Sequence, residues 1–289
     1  MGRVSDRRRV WRIDPQGGRY RPDTVVAEEP LEIQLSGEPF IVTMRTPGND
    51  VDLALGFLHS EAVISAADQV ATAKHCTDSD LNVLDVALRV PAPPRDRGFT
   101  VSSACGVCGT SSLDALRSHY DTAVRHDISA DPVTVAPDLL HRLPAKLRVA
   151  QRVFRTTGGL HAAGLFTSDG DLLCVREDVG RHNAVDKVIG WALRQGSLPL
   201  AGKVLMVSGR AGAEIVQKAA TAGIPVVAAV SAPTTLAVDL AAGWGMTLAG
   251  FIRDKQCNVY SGVERVRDET GTTAPSSTPQ PEGPYSERS

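Results

Sequence analysis

The chain has 289 residues, 42% of them hydrophobic, with 31 Lys and Arg against 33 Asp and Glu for a net charge of -2. That composition supports a buried α/β core, and the near balance of charge argues against a protein whose main ligand is a nucleic-acid backbone, which needs surplus Lys and Arg. No apolar run approaches the roughly 20 residues that span a bilayer, and Arg3, Arg7, Arg8, Arg9 and Arg12 at the start precede no signal-peptide segment, so a cytoplasmic protein without a membrane partner is expected.

Residues 1–24, polar and Arg-rich, and 268–289, rich in Pro, Ser, Thr and Gly, are expected to be disordered tails flanking one domain over 25–267. Its first part, about 25–100, reads as α+β. Apolar stretches on either side of Ser36-Gly37-Glu38 predict a hairpin from Leu31 to Arg45, and Asn49 or Asp50 is placed to cap a helix burying Val51, Leu55 and Leu58. Val83–Val90 alternates as a strand does, Pro91–Gly98 is a loop, and Phe99–Ser102 is a further short strand. A loop over about 102–112 then leads to a helix near Leu113.

The strongest pattern lies from Lys203 to Arg253. Val204–Val207 is a continuous apolar run, Ala213, Ile215, Val216, Ala219 and Ala220 repeat at helical spacing, and Ile224–Val230 repeats the strand signal. Thr234 or Thr235 caps a helix through Leu240, and Thr247–Ile252 is a third strand. This βαβαβ order predicts a parallel sheet, with ligands beyond the carboxyl ends of its strands. Ser208–Gly212, Ser231–Thr235 and Arg253–Lys255 should therefore face one cleft in a core over about 150–262.

Five cysteines, three of them far apart, do not form a disulfide framework. Cys105 and Cys108 stand two residues apart in a loop of Ser, Thr and Gly, a setting that suits a mobile thiol, whereas a structural thiol is usually wrapped in apolar side chains. A zinc site would need a second Cys or His pair, and none is present at short spacing. A redox dithiol and a persulfide-forming sulfur carrier both remain open, because spacing alone does not separate them.

Gly158–Gly164 contains His161, which read alone is a satisfied core histidine. His182 lies beside Glu177, Asp178 and Arg181 at the start of a helix in which Val185, Val188, Ile189 and Ala192 share a face. A titrating group or an anion is stabilised there, although the same charges also suit a solvated cap with surface ion pairs. Ser208-Gly209-Arg210-Ala211-Gly212 matches no phosphate-binding fingerprint. Its place at a strand-to-helix turn nevertheless offers backbone N–H groups and the Arg210 fork to an anion, with Arg253 and Lys255 adding positive charge.

The ordered set Glu29-Pro30-Leu31, Leu55-Gly56-Phe57-Leu58, Cys105-Gly-Val-Cys108-Gly109, Thr157-Gly158-Gly159-Leu160-His161, Glu177-Asp178-Val179-Gly180-Arg181-His182-Asn183-Ala184 and Ser208-Gly209-Arg210 resembles the formate dehydrogenase accessory sulfurtransferase family. The resemblance runs from about Glu28 to Gly262. It implies an α/β fold with a cytidine deaminase-like three-layer core of mixed and parallel strands, a smaller N-terminal α+β portion, and a homodimeric assembly without zinc. His161 is followed by Ala162-Ala163 and lacks the Glu that a deaminase places two residues after its His. It further implies that sulfur comes from a cysteine desulfurase, rests as a persulfide on Cys105 with Cys108 as partner, and passes to bis-molybdopterin guanine dinucleotide for the formate dehydrogenase catalytic subunit. The family's cofactor-binding segment corresponds to Phe251, Ile252, Arg253, Asp254, Lys255 and Gln256, with Ser208, Gly209, Arg210, His161 and His182 as further candidates. A thiol–disulfide oxidoreductase and a non-catalytic cofactor chaperone are the rival functions.

Overall fold

The computed structural model describes residues 3–76, 82–90 and 126–267. The strand expected at Phe99–Ser102, the loop before it, the Cys105–Cys108 segment, the helix near Leu113 and the segment 268–289 lie outside the described residues.

The expectation of disorder over 1–24 is corrected. β1 (Ser5–Asp14) and β2 (Gly17–Val26) pair as an antiparallel hairpin, turning at Gly17 with φ 121. Overall polarity concealed a cross-strand pattern: Trp11 opposes Tyr20 with ring centroids 4.8 Å apart, and the Arg9 guanidinium lies 4.0 Å over the Tyr20 ring. Such pairs support an exposed ribbon by about 0.5–1 kcal/mol each.

β3 (Glu29–Leu35) and β4 (Glu38–Arg45) form the expected hairpin, with Ser36 and Gly37 both at positive φ as a tight two-residue turn demands. β6 (Val83–Leu88) adds to β3 in parallel and β5 (Val70–His75) pairs with β6, giving the order β4-β3-β6-β5. α1 (Asp50–Ser60) covers this sheet, packing Leu53, Ala54 and Leu58 against Leu31, Ile33, Leu84 and Val86. Asn49 stands at its N-cap in the left-handed region without a side-chain bond. The Asp50 carboxylate instead accepts Gly48 N–H and two bonds, both 3.1 Å, from the Arg45 guanidinium.

The second sheet has the order β12-β11-β10-β9-β7-β8. It comprises β7 (His161–Thr167), β8 (Leu172–Asp178), β9 (Lys203–Val207), β10 (Val226–Ala229), β11 (Thr247–Arg253) and β12 (Gln256–Ser261). β9, β10 and β11 are parallel as the βαβαβ pattern predicts, and antiparallel strands on both flanks make the sheet mixed. α2 (Pro137–Ala150) covers one face, while α4 (Arg181–Arg194), α5 (Ala213–Thr221) and α6 (Thr235–Gly243) cover the other; a single turn, α3 (Phe154–Thr157), precedes β7. The strand period of two sorts the side chains between these layers. Val204 and Met206 join Leu139, Leu143 and Leu147 of α2, whereas Leu205 and Val207 join Val188, Ile215 and Ala219. Thr234 caps α6, its Oγ1 accepting the Ala237 N–H at 3.3 Å.

The two sheets meet through helix α1, which crosses α4 at Gly56 and Gly190. With no Cβ at either residue, backbone touches backbone at the crossing. Among the described residues no helix is long and apolar enough to cross a membrane.

Candidate functional site

Because β7 runs antiparallel to β9, and β8 antiparallel to β7, the N-terminus of β7 and the C-termini of β8, β9, β10 and β11 share one edge of the sheet. The loops there are bonded to one another. Ala211 N–H donates to Ala232 O, Thr234 N–H to Ala211 O, Ser231 N–H to Gly209 O and Phe251 N–H to Ser231 O. The Ser208–Gly212 and Ser231–Thr235 loops are thus brought together, and β11 joins them at Phe251, ahead of the Arg253–Lys255 turn. Ser208 is anchored to β7 twice, its N–H donating to Ala162 O and its Oγ accepting the Ala162 N–H, both at 2.9 Å.

His161 lies across the turn: a Cβ on Gly209 would sit 3.2 Å from His161 Nδ1, so glycine leaves room for the ring. Beside it are Arg181 and His182 in the first turn of α4, with Glu214 in the first turn of α5. His182 Nε2 is 3.1 Å from Glu214 Oε2. Burial, aided by the positive charges of Lys218, Arg181 and His161, pushes the His182 pKa down to about 3, so the ring is neutral near neutral pH. Burial and the Arg181 charge lower His161, against the pull of Asp178. Burial raises the Glu214 carboxyl, against Lys218 and Arg181.

The other charges in this stretch serve the fold, but as buried contacts and not as a solvated cap with surface ion pairs. Glu177 accepts the Val153 and Phe154 N–H groups at 3.0 and 2.8 Å. Asp178 is fully buried, binding Lys187 Nζ at 2.6 Å and accepting from Gly180 N–H and Asn183 Nδ2.

Phe251–Gln256 forms the tip of the β11–β12 hairpin, with Asp254 and Lys255 at φ 51 and 61 making the turn. Arg253, Asp254, Lys255 and Gln256 are exposed, and so is Arg210. Ile252 departs from the expected ligand-facing set. Its side chain is only 1% exposed, packed with Ala249 and the α2 side of the core, which leaves its backbone alone for a ligand. Phe251 has φ 51 and an aromatic ring 37% exposed, with Arg253 Cζ 5.9 Å from the ring centroid. A bulky residue in the left-handed region is strained by about 1–3 kcal/mol. Phe251→Gly should therefore leave stability unchanged or raise it by about 1 kcal/mol. Thermal unfolding checks this; a loss of stability would show that the Phe251 side chain contributes more than its backbone strain costs.

Among the described cysteines, burial pushes Cys174 up to about 12 and raises Cys257. Neither of these two suits thiolate chemistry; Cys76 is half-buried, and Cys105 and Cys108 lie outside the described residues. Among the described residues no three His, Cys, Asp or Glu side chains converge as a metal-binding group.

The model of the FdhD/NarQ family matches residues 26–267. The chain belongs to that family. It is 54% identical over 278 residues to the sulfur carrier protein FdhD of Nocardia farcinica, covering 94% of this chain and 98% of that one. It is 53% identical over 277 residues to the sulfur carrier protein FdhD of Streptomyces coelicolor, covering 92% and 97%. A crystal structure of a formate dehydrogenase accessory protein from Desulfotalea psychrophila shares the fold, with TM-score 0.69 and 22% identity over 91% of this chain and 100% of that one.

In this FdhD/NarQ chain, sequence reasoning missed Glu214, Lys218 and Asp186. The signal was present: Asp186 and Lys218 fall among apolar residues of helices whose other members were assigned to the core, and a charge placed inside requires a partner.

Proposed function

We propose that this chain is a sulfur carrier that receives sulfur from a cysteine desulfurase on Cys105 and delivers it to bis-molybdopterin guanine dinucleotide destined for formate dehydrogenase. Family membership and the name carried by relatives about half identical to it support sulfur carriage. The observation that carries the cofactor half is the single cleft edge on which the Ser208–Gly212 and Ser231–Thr235 loops meet His161, Arg181, His182 and the raised Phe251 ring.

Loading is a thiol exchange. The Cys105 thiolate attacks the outer sulfur of the desulfurase persulfide, a new S–S bond forms, the desulfurase S–S bond breaks, and the desulfurase cysteine leaves as thiolate. Cys108 is the neighbouring thiol that assists transfer. Delivery takes place at the cleft, where the substrate is a large polyanion carrying guanine and diphosphate groups. Phe251 offers a stacking face; Arg253, Lys255 and Arg210 offer positive charge; and the backbone at Gly209 and Gly212 permits close approach. A homodimer working in the cytoplasm fits this reading, with the desulfurase and the formate dehydrogenase catalytic subunit as successive partners.

The test is intact-protein mass after incubation with a cysteine desulfurase and cysteine, on wild type, Cys105→Ala and Cys108→Ala. The expected result is a gain of about 32 Da per sulfur, reversed by reductant and absent from Cys105→Ala. Formation of a Cys105–Cys108 disulfide with no mass gain would replace the carrier by a thiol–disulfide oxidoreductase.

A further inference from the structure

His182 and Glu214 are one rung of a two-rung ladder between α4 and α5. One turn further along each helix, Lys218 Nζ lies 2.8 and 2.9 Å from the two Asp186 oxygens, and Ser60 Oγ donates to Asp186 Oδ1 at 2.8 Å. The inner rung pairs full charges and closes on itself. The outer rung is partly exposed, with His182 14% and Glu214 18% open to solvent. It pairs an imidazole with a carboxylate beside Arg181, whose Nε is buried without a hydrogen-bond partner among the described residues.

We propose that the His182–Glu214 pair couples ligand uptake to a proton: when the cofactor's diphosphate pairs with Arg181, the pair takes up one proton and becomes neutral overall. This rests on the reading of the cleft as a guanine dinucleotide site.

The groups facing the pair set the direction. Arg181 and Asp186 face it from α4, His161 from β7, Lys218 from α5 and Glu61 from the end of α1, while Asp178 of β8 acts on His161. In the free protein the positive fields of Arg181 and Lys218 oppose a proton on His182. The pair therefore rests as neutral imidazole and carboxylate, 3.1 Å apart, although burial disfavours the carboxylate's charge. An anion that neutralises Arg181 removes one of the positive fields that oppose protonation, beside burial and Lys218, and adds negative potential of its own. The two groups then bind the proton as a unit. An Arg–diphosphate contact also supplies a partner for Arg181 Nε, which has none among the described residues.

Diguanosine diphosphate serves as the probe, because its bridging diphosphate has no secondary ionisation near neutral pH. Calorimetric titration of the full chain near pH 7, in buffers of differing ionisation enthalpy, should give measurable uptake of less than one proton per probe, with affinity rising as pH falls by less than about tenfold per unit. Glu214→Gln keeps the side chain's size and shape but removes the carboxylate, and should bind the probe with uptake and pH slope both lost. His182→Gln should lose them as well. Binding with no uptake by the wild type, or unchanged uptake in folded Glu214→Gln, overturns the proton coupling alone. No binding of the probe by the wild type at any pH overturns the cofactor reading of the cleft and the coupling with it.

Discussion

Gly190→Ala should destabilise the protein by more than about 3 kcal/mol, against the usual sign for this substitution. In a helix interior, alanine is ordinarily favoured over glycine by about 1 kcal/mol. Here a Cβ at 190 would overlap the Asp52 carbonyl of α1 and lie 2.7 Å from Gly56 N, while a Cβ at 56 would overlap the Asp186 carbonyl of α4. Overpacking against side chains costs about 1–3 kcal/mol because side chains can turn aside; these obstacles are helical backbone, so α1 and α4 must separate as bodies. Separation would lift α1 from the face that Leu193 shares with Leu53 and Leu58, and would shift the start of α4 that presents Arg181 and His182. Gly243→Ala, at the end of α6 where a Cβ meets nothing within 4 Å, is the control and should be neutral or slightly stabilising. Urea unfolding of both variants decides the matter. A midpoint for Gly190→Ala at or above wild type would show that the crossing yields, and the close approach would then carry no energetic weight.

The parts visible in the sequence were those governed by local pattern. The βαβαβ run from Lys203 to Arg253 shows its three parallel strands because continuous apolar runs and helical spacing are properties of neighbouring residues, and the strand-end rule then places Ser208–Gly212 beside Ser231–Thr235. Ser36-Gly37 announces its own turn. What stayed hidden depends on distant partners. The β1–β2 ribbon is built from Trp11, Tyr20 and Arg9 meeting across strands within a segment whose composition reads as a tail. Gly56 and Gly190 look like weak points in two helices until the helices are seen to cross there. His182 stood out in the sequence through its charged neighbours, yet two of those, Glu177 and Asp178, turn to the fold, and the carboxylate that reaches its ring is Glu214, 32 residues on.

Removing one member of the buried Asp186–Lys218 pair should cost far more than removing both. Both side chains are almost wholly buried, and the carboxylate accepts two short bonds from Lys218 and one from Ser60. Burial works against the Lys218 ammonium, but Asp186, Glu61 and Glu214 outweigh it and hold its pKa above the usual lysine range, so the ammonium persists at neutral pH. Asp186→Ala leaves that charge without its nearest counter-ion and should destabilise by about 3–5 kcal/mol, whereas Asp186→Leu combined with Lys218→Leu should recover most of the loss. Lys218→Met should show a pH signature of its own. With the ammonium gone, burial drives the folded Asp186 pKa further above its unfolded value, so the folded state binds a proton that the unfolded state releases. Stability of this variant should therefore rise as pH falls from 8 toward 5, and decline as pH rises through the folded pKa. Denaturant unfolding at several pH values measures all of these. Equal losses in Asp186→Ala and in the double variant would show that the two groups act independently, and a flat pH profile for Lys218→Met would show that solvent reaches Asp186 once the lysine is removed.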